Sequence, residues 1–326
     1  MSNFDSISAV ILAAGKGTRM KSSKAKVLHE LFFAPMIHHV LAGVLPLDLG
    51  QVVVVTGHQG EAVEKSLADH PVLFARQQEQ RGTGDAVLAT GQILNDNTET
   101  VLILCGDTPL IRPSTLKTML LKHQNSGAAL TVMSTMLEDS TNYGRIITND
   151  HGHVEKIIEQ KDASPEQLAI KEVNAGIYCV SKDLLFKTLN QVGTDNKAGE
   201  MYLTDIVGIA ATDNIQVNKY ICPEADEIIG VNSKVELAKA AKVLQNRRNH
   251  ALMTEGVSMM DPQSTFIDKQ AKIGQDTTIG ANVIISGPTV IGEGCTIEPM
   301  CTIDCCQISN GQSVESFSKL SGVELK

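Results

Sequence analysis

Residues 10–28 read VILAAGKGTRMKSSKAKVL, and the fold follows from how this stretch begins. The apolar run from Ile7 to Ala14 has the length and the β-branched content of a buried strand, and it stops at a glycine-basic loop, Gly15-Lys16-Gly17-Thr18-Arg19. Loops of this kind bind polyanions. Small residues let backbone N–H groups come close to phosphate oxygens, and Lys16, Arg19, Lys21, Lys24 and Lys26 add charge-assisted hydrogen bonds. With a net charge of −9 over the whole chain, this basic island runs against its background.

Two better-known phosphate loops do not fit. A Walker A loop needs Gly-Lys followed by Ser or Thr, but Lys16 is followed by Gly17. In the dinucleotide pattern G-x-G-x-x-G, Met20 stands where the third glycine belongs. On spacing alone, the stretch is a phosphate loop of neither type, or a strand-to-loop turn with solvated lysines.

The segment LAAGKGTRM followed by KVLHE resembles the signature of sugar-1-phosphate nucleotidyltransferases. The nearest likeness is to the bacterial N-acetylglucosamine-1-phosphate uridyltransferases of the GlmU type. Ala25 stands where that family usually has proline, which is expected to loosen the turn before Lys26.

Composition sets the frame. A chain of 326 residues holds one large domain and a smaller one. Hydrophobic residues at 42% and charged residues at 20% describe an ordinary globular protein, and no apolar run reaches membrane-spanning length. The start, MSNFDSIS, lacks the features of a secretion signal, so a cytoplasmic location is expected, with no membrane partner. Net acidity without tryptophan argues against nucleic acid as a partner. Seven cysteines without a framework pattern fit a reducing compartment.

Along the chain, Met36–Leu47 reads as a helix closed by Pro46, Gln51–Thr56 and Val72–Ala75 as strands, and Asp85–Leu94 as a helix. Gly82 and Gly84 bracket Thr83 just before that helix, where N–H donors suit a base or a phosphate. His58 reads as a loop residue. Val101–Cys105 is a buried strand delivering Gly106-Asp107-Thr108-Pro109-Leu110, which places Asp107 at the crevice where open α/β sheets bind ligands. Asp107 is therefore a metal-ligand candidate by position. It could instead cap the helix near Pro113, though Ser114 is better placed to do so.

Leu130–Met136 reads as a strand, residues 142–158 as an antiparallel hairpin with His151 and His153 solvated at its turn, and Val173–Ile177 as a strand with small residues. Ile228–Val231 reads as the last strand of the large domain and ends in Asn232, which could cap the helix beginning near Lys234. Ser233–Leu252 is a long helical arm. After it, isoleucine recurs at 267, 273, 279, 285, 291, 297 and 303, with Ala271, Thr277, Val283, Thr289, Cys295, Cys301 and Gln307 four residues on. This is the hexapeptide pattern of a left-handed parallel β-helix, in which Cys295 and Cys301 pack inside the coils. The repeat runs out near Ile308, leaving Cys305 and Cys306 unassigned.

The fold expected is thus α/β. A Rossmann-like nucleotidyltransferase domain with a mostly parallel mixed sheet (1–232) is followed by a linker helix (233–255) and a short hexapeptide β-helix (256–326). The resemblance implies the residue roles. Leu12, Ala13, Ala14, Gly15 and Gly17 would cradle the nucleotide phosphates, and Arg19 and Lys26 would offset their charge. Gln77, Gly82 and Thr83 would read uracil. The glutamine amide would use both its donor and its acceptor. Gly144, Glu159, Asn174 and Tyr202 would bind the sugar, with Ala175 where the family's N-T-G has threonine. Asp107 and Asn232 would hold Mg2+, which needs only one or two protein oxygens.

The reaction implied joins UTP and N-acetylglucosamine 1-phosphate into UDP-N-acetylglucosamine and pyrophosphate by in-line displacement. No covalent intermediate or general base is required. The acetyltransferase of the bifunctional members is expected to be absent, and trimerisation is expected by resemblance. Two other readings stay open: the same chemistry on another nucleotide or sugar phosphate, and a non-catalytic nucleotide-sugar sensor.

Overall fold

The computed structural model describes residues 4–326. Two units are distinguished, one made by the chain up to His29 with Pro35–Glu236, the other by Glu30–Ala34 with Leu237–Lys326.

The first unit is built on nine strands: β1 (Ile7–Leu12), β2 (Gln51–Thr56), β3 (Leu73–Arg76), β4 (Thr100–Cys105), β5 (Leu130–Met136), β6 (Arg145–Thr148), β7 (Val154–Ile158), β8 (Glu172–Ser181) and β9 (Val217–Ile221). Seven of them lie in the order β9-β5-β8-β4-β1-β2-β3, and the β6–β7 hairpin branches from β8. Only β8 and the hairpin run antiparallel; β1 pairs in parallel with both β2 and β4. Because the chain passes to β2 and β3 on one side of β1 and returns to β4 on the other, the carboxyl ends of β1 and β4 open a crevice between diverging connections.

The helices are α1 (Met36–Val44), α2 (Gly60–Ser66), α3 (Thr83–Leu88), α4 (Pro113–Ser126), α5 (Pro165–Leu168), α6 (Lys182–Leu189), α7 (Asp205–Thr212) and α8 (Lys234–Thr254). β1 is buried along nearly its whole length, and its alternation divides the core. Ala9 and Ile11 pack in one layer with Ile37 and Leu41 of α1 and Leu116 and Leu120 of α4. Val10 packs in the other with Val87 of α3, Leu185 of α6 and Val207 of α7. A sheet covered on both faces explains why its central strands read as unbroken apolar runs.

Several sequence readings are corrected here. Ile228–Val231 is not a strand: a 3-10 turn covers Ala225–Ile228, and the chain continues as a loop in which Ile228 and Val231 are nevertheless fully buried. The strand that closes the sheet is β9, an edge strand whose Val-Asn-Lys-Tyr-Ile run carries one half-buried polar residue on each face. The helix expected over Asp85–Leu94 is α3, which begins at Thr83 and gives way to turns after Leu88. Ser114 lies inside the first turn of α4; the boundary residue is Arg112, whose N–H is held at 3.0 Å by Glu227 Oε2.

The second unit is a left-handed parallel β-helix of three faces with four short strands each, for example Phe266–Ile267, Ile284–Ser286, Thr302–Asp304 and Lys319–Ser321. Ile267, Ile279, Ile285, Ile291, Ile297 and Ile303 fill its interior, with Cys295 and Cys301 inside as expected. The repeat does not stop near Ile308. Thr302 pairs with Lys319 and Val290 with Gln307, seventeen residues apart where earlier coils use eighteen, so one residue is missing from the corner and pairing continues to Leu325. Cys306 therefore takes the inward position and Gln307 faces out, while Cys305 is an exposed corner residue with φ 52. Within this unit, the buried amides of Gln245 and Asn249 on α8 both donate to the Thr265 carbonyl, at 2.7 and 2.9 Å. No helix among the described residues is long and apolar enough to cross a membrane.

Candidate functional site

The loop after β1 is pinned from both sides. Ala13 donates to the Val55 carbonyl, Gly106 donates to that of Leu12, and His58 donates to that of Ala14. A side chain added at Gly15 would meet nothing within 4 Å, so its backbone faces open space. Gly17 is left-handed (φ 61), and a Cβ there would lie 2.6 Å from Lys26 Cβ. Only glycine lets the lysine lie along the loop. Met20, the residue that spoils the dinucleotide pattern, is a buried anchor of the short turn Thr18–Met20.

Lys26 is the centre of the polar arrangement. Its ammonium donates to the Asp107 carboxylate and, at 3.0 Å, to Asn232 Oδ1, which also accepts from Arg19 Nη2 at 2.9 Å. The strand β4 delivers Asp107. Asn232 arrives on the loop, held there because Val231 N–H donates to the Asp107 carbonyl (2.8 Å) and Gly230 N–H to the Tyr143 hydroxyl (3.3 Å). The start of α8 is capped by its neighbours: Ser233 Oγ accepts from Glu236 N–H, and the Glu236 carboxylate accepts from Asn232 N–H and from the Ser233 hydroxyl. The Asn232 side chain is thus not the cap, and it is left for the site.

Asp107 and Asn232 present two oxygens to one cation, here the lysine ammonium. That donor set fits a hard, oxygen-seeking ion such as Mg2+ that takes its remaining ligands from phosphate and water. Among the described residues no group of three or more acidic, histidine or cysteine side chains could cage a metal alone.

A cavity of about 500 Å3 opens beside these groups, lined by Leu12, Ala13, Ala14, Gly15, Gly17, Lys26, Gln77, Gly82, Thr83 and Asp107 among the residues expected from the sequence. Gln80, Cys105 and Glu200 also line it and were not anticipated. A separate hollow of about 410 Å3 beside α7 holds none of the expected site residues. The Cys105 thiol is pushed up to about 12 by burial and by the neighbouring Asp107 carboxylate, with Lys26 opposing. It is a neutral lining group, not a nucleophile.

Gln77 differs from the sequence reading. Its Nε2 donates both to the Gly82 carbonyl (3.0 Å) and to Asp85 Oδ2 (2.8 Å), so the amide spends its donors inside the protein and keeps its carbonyl oxygen as the group available to a base. The Gly82-Thr83-Gly84 turn is zipped to residues 200–203: Gly84 N–H donates to the Met201 carbonyl, Met201 N–H to that of Arg81, and Leu203 N–H to Thr83 Oγ1 at 2.9 Å. A Cβ at Gly82 would fall 2.4 Å from the Met201 carbonyl oxygen.

The residues expected to bind sugar come from four separate elements. Asn174 N–H donates to the Gly144 carbonyl. The Asn174 side chain closes the bulge in β8, donating to the Tyr178 hydroxyl at 2.7 Å and accepting from Gly176 N–H at 3.0 Å, so much of its capacity is used internally. Ala175 is buried within that bulge. Glu159 Oε1 accepts from the Thr204 hydroxyl (3.1 Å). Burial first, then Asp205, Asp162 and Glu200, hold its carboxyl above the usual range, with the Thr204 hydrogen bond opposing. The Tyr202 phenol is pushed up to about 12 by burial and by the same acidic groups. Arg19, Asn232, Gly144, Glu159, Asn174 and Tyr202 do not line the 500 Å3 cavity. His151 and His153 stay at the hairpin turn, where their N–H groups bind Asn149 Oδ1.

Comparison with known proteins accords with this geometry. A family model described as MobA-like NTP transferase domain matches residues 9–197, and one described as bacterial transferase hexapeptide (six repeats) matches 270–305. A relative named bifunctional protein GlmU, from Desulfotalea psychrophila, is 45% identical over 97% of this chain and 93% of its own length. A protein of the same name from Trichlorobacter lovleyi is 44% identical over 97% of this chain and 69% of its own length. Among solved structures, a UDP-glucose pyrophosphorylase complexed with UDP-glucose superposes with a TM-score of 0.60 at 19% identity, covering 74% of this chain and 99% of that one. At that identity the likeness is one of fold.

Proposed function

Because this chain belongs to the GlmU family, a relation that spans nearly all of it, we propose that it is a nucleotidyltransferase making UDP-N-acetylglucosamine and pyrophosphate from UTP and N-acetylglucosamine 1-phosphate. The observation that carries this reading is the convergence of Lys26, Asp107, Asn232 and Arg19 at the mouth of a glycine loop. Cations for a triphosphate and oxygens for a metal meet at one point.

Asp107 and Asn232 would hold Mg2+, which when bound supplies charge neutralisation on the reacting phosphates. The residues of the chain do the rest. The backbone of Gly15–Gly17 would cradle the leaving pyrophosphate, and Arg19 and Lys26 would stabilise negative charge that grows on it. The Gln77 carbonyl oxygen would accept from the imide N–H of uracil. Gly144, Glu159, Asn174 and Tyr202 would orient the sugar phosphate so that its oxygen attacks the α-phosphorus in line. A cytoplasmic location goes with this activity and with seven free cysteines, one of them the exposed Cys305.

Specificity is read by a panel assay. Pyrophosphate release should be greatest with UTP and N-acetylglucosamine 1-phosphate; faster release with glucose 1-phosphate or a thymidine nucleotide would move the assignment within the same chemistry, and ligand binding without turnover would point to a sensor.

Glu159 gives a prediction with two signs. Since its folded-state pKa is raised, the native protein binds that proton more readily than the unfolded chain does. Stability therefore falls as pH rises from the ordinary carboxylate range through the raised value. Glu159→Gln should melt higher than the parent at pH 8, with the gap closing below the ordinary range, yet raise KM for the sugar phosphate about tenfold, the scale of one charged hydrogen bond. An unchanged KM would remove Glu159 from the sugar site.

A further inference from the structure

The turn that brings Lys26 into the site is gripped by a side chain from elsewhere in the sequence. Ala25 is buried and has φ −52 and ψ 136, the backbone a proline ring would impose. Its N–H is retained and donates to Gln59 Oε1 at 2.7 Å. Gln59 Nε2 donates to the Ser23 carbonyl. One amide thus holds the turn on both sides of Lys24, immediately before the lysine that bridges Asp107 and Asn232.

Gln59 is itself left-handed, with φ 53 and ψ 35, at the start of α2. Glycine is the unstrained residue for that backbone, but glycine has no amide to offer. The same turn also supports the phosphate loop: His58 N–H donates to the Ala14 carbonyl, and a Cβ at Gly57 would lie 2.8 Å from Ala14 Cβ. The segment after β2 therefore braces both pieces of the basic stretch, the glycine loop by backbone and the lysine turn by the Gln59 side chain.

We propose that Gln59 is a positioning residue for Lys26, supplying through two hydrogen bonds the rigidity that a proline at position 25 would supply through its ring. The sequence expectation that Ala25 loosens the turn is thereby replaced: the extended backbone is kept, and another residue keeps it. The inference rests on the reading of Lys26 as a phosphate-binding cation.

Gln59→Gly is the informative variant, because it removes the amide while relaxing the left-handed backbone, so a merely structural residue would leave activity alone. Pyrophosphate release at varied UTP, with thermal melts, should show kcat/KM for UTP about tenfold lower, the KM for the sugar phosphate unmoved and the melting temperature not reduced. Adding Ala25→Pro to Gln59→Gly should restore most of the loss. Gln59→Glu, which can accept from Ala25 N–H but cannot donate to Ser23, should fall between. The proposal is overturned if Gln59→Gly turns over within twofold of the parent, or if the double variant folds as well as the parent and stays as slow as Gln59→Gly. An inactive parent would instead sink the functional reading, so the two failures are told apart by the control.

Discussion

Asp107→Ala should lower the rate of pyrophosphate release by at least roughly 10²–10³, the range seen when one preorganised electrostatic group is removed from an active site. The side chain is mostly buried, at 17% exposure, and it is the carboxylate that Lys26 meets at the end of β4. Its loss removes the stronger of two oxygen donors for a cation and leaves Lys26 without its anionic partner. Both consequences lower turnover. Asp107→Asn separates them from misfolding, since it keeps shape and hydrogen bonding but gives up the charge. It should lose activity on the same scale while melting close to the parent. Near-normal turnover in either variant would mean that the carboxylate holds nothing essential.

Lys26→Met is the second large effect, and it has a signature of its own. The ammonium occupies the space between Asp107 and Asn232, so a metal ion held by those two oxygens would displace it, and on the proposed reading the lysine would turn to a phosphate. Removing the lysine should cost about 10² or more in kcat through lost stabilisation of phosphate charge. The same change frees both oxygens from a competing cation. The Mg2+ concentration giving half-maximal rate should therefore fall while the maximal rate collapses. A variant needing more Mg2+ than the parent would contradict the displacement, and one with unchanged kcat would remove Lys26 from the transition state.

What the sequence disclosed was local. The apolar run into Gly15-Lys16-Gly17, the strand into Asp107 and the six-residue isoleucine rhythm each carry their meaning within a few residues, and each is where it was expected. What stayed hidden depends on distant pairing. Thr83 Oγ1 and Leu203 N–H meet across 120 residues, and nothing near either one signals the zip between the Gly82-Thr83-Gly84 turn and the Tyr202 segment. Ile228–Val231 has a strand's apolar run, yet the N–H of Val231 goes to the Asp107 carbonyl, so burial occurs without a ladder. β9 gives no clear pattern because Asn218 and Lys219, one on each face of this edge strand, break both the apolar run and the alternation. The six-residue pattern is hidden where the corner at Cys305 drops one residue, although Ile308, Val314 and Leu320 resume the rhythm before a second residue is dropped ahead of Leu325. Ala25 shows the converse. Alanine stands there in place of the expected proline, yet its φ of −52 lies in proline's range and its N–H donates to Gln59 Oε1, a partner 34 residues away.

The direct test of the central claim is to incubate the purified chain with UTP, N-acetylglucosamine 1-phosphate and Mg2+ and follow every phosphorus species by 31P NMR. The site as described predicts UDP-N-acetylglucosamine and pyrophosphate appearing in equal amounts, with neither formed when the sugar phosphate is left out. Formation of UMP in its absence, or no conversion of UTP in its presence, would contradict it.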